Sequence, residues 1–304
     1  MANFQVETET HGELACWRVS CPQAELLIAQ QGAQILSYQR IGQPPLLWLS
    51  EQALFRQGKS VRAGVPVCWP WFGNLQRNPQ SVQKMYSGAE APAHGLVRGR
   101  DWQLLGIEQA GETVQIQFSL PEAANGELPG WPHKVELKLL IEVGAQLSVT
   151  LTSHNLGDDS VTISQALHSY FAVSDVRQAQ VEGVAGLSYI ETLADWEQRT
   201  QQDALGFSGE TDRIYLDTPE QLSIVDPLWQ RRITLTSSGS RSAVIWNPWT
   251  DRARELPDMA DDGWQRMLCI ETANVWDDLV ELKAGERHVL SLQIGSEALI
   301  CWPR

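Results

Sequence analysis

Apolar side chains recur at every second position along much of this chain. Val135, Leu137, Leu139 and Ile141 interleave with Glu136, Lys138 and Glu142, and after Gly144 the same beat resumes at Leu147, Val149 and Leu151. Successive side chains of an extended strand point to opposite faces, so this period buries one face and wets the other. The two runs, joined across a glycine, predict a hairpin. Similar short segments recur at 26–29, 34–38, 114–120, 161–165, 233–236, 243–246, 267–271 and 289–294, each bounded by Gly, Pro, Asp, Asn or Ser. Ten or more strands with few helix candidates predict an all-β fold. A short helix or turn is expected at 259–267.

No Ser/Gly or Pro tract, charge block or shift in composition divides the 304 residues, and no fixed period repeats along them. The expectation is one domain over 1–304, a sandwich of large antiparallel sheets. A hydrophobic fraction of 43% is enough to fill such a core.

Charge and cysteine usage narrow the function. The net charge is −14, with basic residues scattered rather than clustered, which disfavours nucleic acid and anionic membrane as partners. An acidic body also repels an anionic substrate, so a phosphorylated ligand demands a local group of arginines. Cys16, Cys21, Cys68, Cys269 and Cys301 are odd in number and form no C-x-x-C pair, which indicates neither a disulfide framework nor a zinc site. The opening MANFQVETETHGE has no basic region leading into an apolar stretch, and no run approaches the length of a membrane span. A reduced cytoplasmic setting is expected, with the chain a monomer.

Five segments carry candidate chemistry. In RAGVPVCWPWFG at 62–73, Trp69, Trp71 and Phe72 are expected to pack a rigid buried loop, while Arg62 is either solvated or placed as a planar donor for a carboxylate or phosphate. In AHGLVR at 93–98, His94 is either a turn residue or part of a site, and Arg98, four residues on, shares its face in extended backbone. In QALHSYF at 165–171, Ala166, His168 and Tyr170 face one way and Leu167, Ser169 and Phe171 the other, so His168 points away from the core. In LCIET at 268–272, Cys269 and Glu271 share a face opposite Leu268 and Ile270; a carboxylate in so apolar a strand is paired, lines a cavity, or sits at a wet edge. Asp212, in ETDRIY, either holds a sugar hydroxyl or salt-bridges Arg213, and Trp246 and Trp249 either stack on a sugar ring or fill the core.

Taken in order, RAGVPVCWPWFG, AHGLVR, ALHSYF, ETDRIY, and WNPW followed by MLCIETANV at 267–275 span most of the chain and resemble the hexose-6-phosphate branch of the aldose 1-epimerase family. The resemblance implies a galactose-mutarotase-like supersandwich that binds its sugar on the concave face of a large sheet. It implies His168 as general acid, Glu271 as general base, Arg62 and Arg98 as contacts to the substrate and its phosphate, and Asp212 as a holder of hydroxyls, with His94 also at the substrate. Ala93 stands where many relatives carry Gln, a departure that bears on substrate preference rather than on the reaction.

The implied activity is interconversion of the α and β anomers of a hexose 6-phosphate, glucose 6-phosphate first. Opening a hemiacetal removes a proton from O1 while the ring oxygen gains one, work for one carboxylate and one imidazolium. No cofactor and no metal are expected: the sequence has no metal-ligand spacing, GxGxxG loop or Walker motif. Two rival readings stay open, a non-enzymatic carbohydrate-binding sandwich, and a glycoside hydrolase using Asp212 and Glu271 as its two carboxylates.

Overall fold

A computed structural model describes residues 4–299; Cys301 lies outside them. The alternating segments form strands. The run at 135–151 is a hairpin of Val135–Val143 and Leu147–Asn155, paired from Val135 opposite Asn155 to Val143 opposite Leu147. Its odd-numbered positions are buried and its even-numbered ones are half-buried or exposed, as the period requires.

That hairpin belongs to a nine-stranded antiparallel sheet. Its order is Leu205–Gly206, Gln180–Glu182, Gln221–Asp226, Arg231–Ser238, Arg287–Ala298, Leu147–Asn155, Val135–Val143, Thr113–Ser119 and Gln103–Ala110. A second sheet runs Glu197–Thr200, Ser188–Glu191, Thr211–Leu216, Ser242–Asn247, Met267–Asn274, Gln165–Leu167 and Val67–Cys68, with Tyr170–Ala172 also paired to Met267–Asn274. Gln5–His11, Leu14–Ser20, Ala24–Ala29 and Ile35–Arg40 form a four-stranded meander beside them. The turn expected at 259–267 is the short 3₁₀ helix Gly263–Arg266. No helix among the described residues is long and apolar enough to cross a membrane.

The main core lies between the two large sheets. Leu139, Ile141, Leu235 and Leu292 of the first meet Leu167, Phe171, Leu268 and Ile270 of the second. The other face of the second sheet carries a separate apolar layer, Ala166, Ile190, Ile214, Val244 and Ala273. Met267–Asn274 is therefore buried along its whole length, unlike the one-sided strands of the hairpin.

One buried ion pair ties the sheets together. Asp226 and Arg231 are 0% and 4% exposed, with Nε 3.7 Å from Oδ2. Asp226 accepts from the backbone N–H of Ser174, and the Arg231 guanidinium donates to the carbonyls of Pro44, Pro45 and Ala172. The pair thus anchors the end of the strand Tyr170–Ala172. Removing one member strands the other charge in the core, so Asp226→Ala is expected to lower stability by about 3 kcal/mol. Urea unfolding measures this, and an unchanged midpoint would remove the anchoring role.

Candidate active site

The residues on the second face of the Met267–Asn274 sheet are set by register. Leu167 pairs with Thr272 and Tyr170 with Cys269, so the same antiparallel register places His168 opposite Glu271. The strand is interrupted there: the His168 N–H turns to the carbonyl of Pro66, and the Tyr170 N–H to that of Gly64. The faces expected for ALHSYF and LCIET are kept through the break. His168 Nε2 lies 3.4 Å from Glu271 Oε1, with His168 7% and Glu271 1% exposed. His168 Nδ1 and Glu271 Oε2 are buried without a hydrogen-bond partner.

The two glycine-bearing motifs shape the wall beside this pair. Gly95 holds φ +83, and a Cβ there would sit 2.0 Å from the carbonyl oxygen of Trp69; at Gly64 it would sit 1.9 Å from that of Ile35. Only glycine permits either approach. The bend at Gly95 brings His94, itself at φ +63, against His168, with ring centroids 5.2 Å apart. His94 Nδ1 accepts from the Gly73 N–H, which leaves Nε2 as the donor of the neutral ring. Trp69 and Trp71 are fully buried, as expected, but Phe72 is half-buried, edge-on to His94, and lines the cavity.

The pair opens into a cavity of about 740 Å³ that is also lined by His94, Arg62, Arg98, Asp212 and Trp246. All six candidate residues are therefore brought together. Arg62 Nε donates to Asp258 Oδ1 at 2.8 Å and Nη1 to the Tyr170 hydroxyl at 3.3 Å; Arg98 Nη2 donates to the carbonyl of Ala93 at 2.8 Å. Asp212 does not salt-bridge Arg213. The two alternate along the strand, and Arg213 pairs with Glu191 at 2.9 Å while Asp212 faces the cavity. Trp246 lines the cavity, whereas Trp249 packs on Trp264.

Sequence reading missed Asp258, the partner of Arg62, and a wall built from Trp196 and Trp276, stacked with centroids 5.7 Å apart, with the Arg77 guanidinium over Trp196. Trp276 directly follows MLCIETANV and was within reach of that motif. Trp196 stands at φ +61 after Asp195 at φ +49, a turn that no local sequence signal announces.

Burial dominates the electrostatics. Loss of water pushes the Glu271 carboxyl well above the usual carboxylate range; the nearby Asp212 charge adds to this and Arg98 opposes it. Burial, then Arg98 and Arg62, pull His168 down to about 3. Burial raises Asp212 to about 6 against the opposing hydrogen bond of Thr192, and it drives His94 well below its ordinary value. Burial thus favours the neutral form of both members of the pair, with the proton on Glu271 rather than His168. Cys269, on the same face, brings its sulfur within 4.8 Å of ligand atoms of both partners.

The fold is shared with solved structures. A provisionally named mutarotase from Salmonella typhimurium superposes with a TM-score of 0.85 at 28% identity, over 96% of this chain and 94% of that one. A galactose mutarotase-like protein from Clostridium acetobutylicum superposes at 0.73 with 16% identity, over 98% and 99%, a likeness of fold alone. The aldose 1-epimerase model matches residues 16–295. The chain belongs to the aldose 1-epimerase family. A protein of Escherichia coli (strain K12), provisionally named a glucose-6-phosphate 1-epimerase, is 34% identical over 257 residues, 84% of this chain and 81% of that one. A Cenchrus ciliaris protein with the same provisional name is 32% identical over 266 residues, 84% and 76% of the respective lengths.

Holding Glu271 neutral has a sign that unfolding can read. Its folded pKa is raised, so the native state keeps a proton that the unfolded chain releases above about 4.5. Its stabilising contribution is complete below that value and is lost as pH rises. Glu271→Gln is expected to gain stability over the parent at pH 8, with the gap closing towards pH 4. Urea midpoints across that range check this, and a gap independent of pH would contradict a raised pKa.

Proposed function

We propose that this chain interconverts the α and β anomers of a hexose 6-phosphate, with glucose 6-phosphate as first substrate. The observation that carries the reading is the His168–Glu271 pair, 3.4 Å apart and facing a cavity of the size that takes a small ligand. O1 and the ring oxygen of a hemiacetal are bonded to one carbon, so their acid and base must stand as near neighbours. Glu271 takes the O1 proton as His168 gives one to the ring oxygen, the ring opens, C1 turns about the C1–C2 bond, and reversed transfers close the other anomer.

Burial favours the pair's proton on Glu271. The working state needs it on His168 rather than Glu271, and a bound dianionic phosphate favours that shift by offsetting Arg98 and Arg62, two of the groups that hold His168 neutral. Addition of a second proton at low pH, or loss of the only one at high pH, stops the exchange.

Of the two arginines, Arg62 is already ion-paired to Asp258, whereas Arg98 is tied only to a backbone carbonyl. Arg98 is therefore the residue with charge to spare for phosphate, with Arg62 holding Tyr170 and the cavity wall. Asp212, across the cavity, takes sugar hydroxyls. Family membership favours this reading over a carbohydrate-binding sandwich or a glycoside hydrolase.

Saturation-transfer NMR between the anomers of glucose 6-phosphate tests it. Wild-type protein should accelerate exchange well above the buffer rate, and His168→Ala and Glu271→Gln should each lose about 10²–10⁴-fold. Exchange at the buffer rate with wild-type protein would refute the assignment. The rate should follow a bell over about pH 5–9, set by the one-proton pair, and a flat profile would count against it. Arg98→Ala should impair the phosphorylated sugar far more than free glucose; equal losses would remove the phosphate role.

A further inference from the structure

The proposed acid and base share their face of the sheet with a third group that the anomer exchange does not use. Cys269 is fully buried, pairs across strands with Tyr170 on one side and Trp246 on the other, and has its sulfur among the His168 and Glu271 ligand atoms, all within 4.8 Å of one another. The 3.4 Å between Nε2 and Oε1 is long for a hydrogen bond. It matches instead the edge of a tetrahedron about a zinc ion with nitrogen and oxygen ligands at about 2.0–2.2 Å.

We propose that His168, Cys269 and Glu271 bind a thiophilic divalent cation, Zn²⁺ foremost, and that the bound ion switches the catalytic pair off. Binding itself rests on the three side chains alone; the inhibitory effect rests on the acid–base reading above.

Three observations carry the site. The donors are sulfur, imidazole nitrogen and carboxylate oxygen, a set that selects zinc-like ions over magnesium or calcium. His168 Nε2 and Glu271 Oε1, turned towards one another at 3.4 Å, are the atoms placed to ligate, and Glu271 Oε2, buried without a partner, would gain a neighbouring positive charge. Once the thiol and carboxyl give up their protons, two negative ligands balance the two charges of the ion, which removes the objection to a lone cation in a buried setting. Three protein ligands leave the fourth tetrahedral position to water from the cavity. An ion so held occupies the lone pairs that would take and give the sugar's protons. Sequence spacing shows none of this, because the ligands come from two segments about a hundred residues apart, a break between strands at His168 and the strand Met267–Asn274.

The experiment uses the full chain, freed of metal by chelation, with Co²⁺ as a spectroscopic probe and Zn²⁺ as inhibitor. Co²⁺ should produce a sulfur-to-cobalt charge-transfer band in the near ultraviolet. The band should vanish in Cys269→Ser and persist in Cys68→Ser, the control for the thiol beside His94. Zn²⁺ should suppress anomer exchange, a chelator should restore it, and Cys269→Ser should need about tenfold more Zn²⁺. No band in wild-type protein, or one that survives in Cys269→Ser, would overturn the site. Should Cys269→Ser not fold, a zinc-edge anomalous map of wild-type crystals decides: a peak among the three side chains supports the site, and a vacant map overturns it. Absence of exchange in metal-free wild-type protein would defeat the acid–base reading, while the band would still decide the metal site.

Discussion

A carboxyl and an imidazole placed side by side out of water can exist there only as a jointly neutral pair. The organisation around the cavity answers to that constraint. Met267–Asn274 sits inside its sheet and is buried throughout, so Glu271 meets solvent only through the cavity and its charge answers to what stands opposite. What stands opposite is His168, held by the register of two short strands and by a backbone N–H that leaves the sheet for Pro66. Asp226 and Arg231 fix the far end of the same segment from the neighbouring sheet. The dyad is thus a product of packing on both faces rather than of any local motif.

Charge is arranged around the pair by compensation. The chain carries a net charge of −14, yet four arginines line the cavity. Arg62 is matched by Asp258 and Arg252 by Glu255, which leaves Arg98 and Arg77 without a carboxylate bridge among the described residues. Glu210, Asp212, Asp258 and Glu271 line the same cavity, so arginines and carboxyls are equal in number there. Its free positive charge is concentrated where an incoming anion can use it.

Much of this was legible in the sequence. Strands with one wet face announced themselves through Val135, Leu137 and their partners, and the faces of 165–171 and 268–272 followed from the same period. Strand Met267–Asn274 was less readable in extent, because a strand buried on both faces has no alternation to mark its ends. Glu271 as an edge residue in water was a real alternative until pairing to Ser242–Asn247 and Gln165–Leu167 excluded it. The alternative of Asp212 pairing with Arg213 falls away because adjacent residues of a strand point apart, and Arg213 pairs with Glu191 instead. Phe72 was expected in the core and Trp196 and Arg77 escaped notice, because their place on the cavity depends on loops that fold over from distant parts of the chain.

The antiparallel pairing that sets His168 against Glu271 also limits how such a chain can change over time. Each matched pair between the two segments has residue numbers with the same sum, so one insertion or deletion between 165 and 172, or between 267 and 274, would turn the imidazole and the carboxyl to opposite sides of the sheet. Point substitutions leave that alignment intact. Variation in length is then confined to the surrounding loops, such as 74–92 and 192–196, and lineages can remodel the cavity's rim while the spacing of its centre stays frozen.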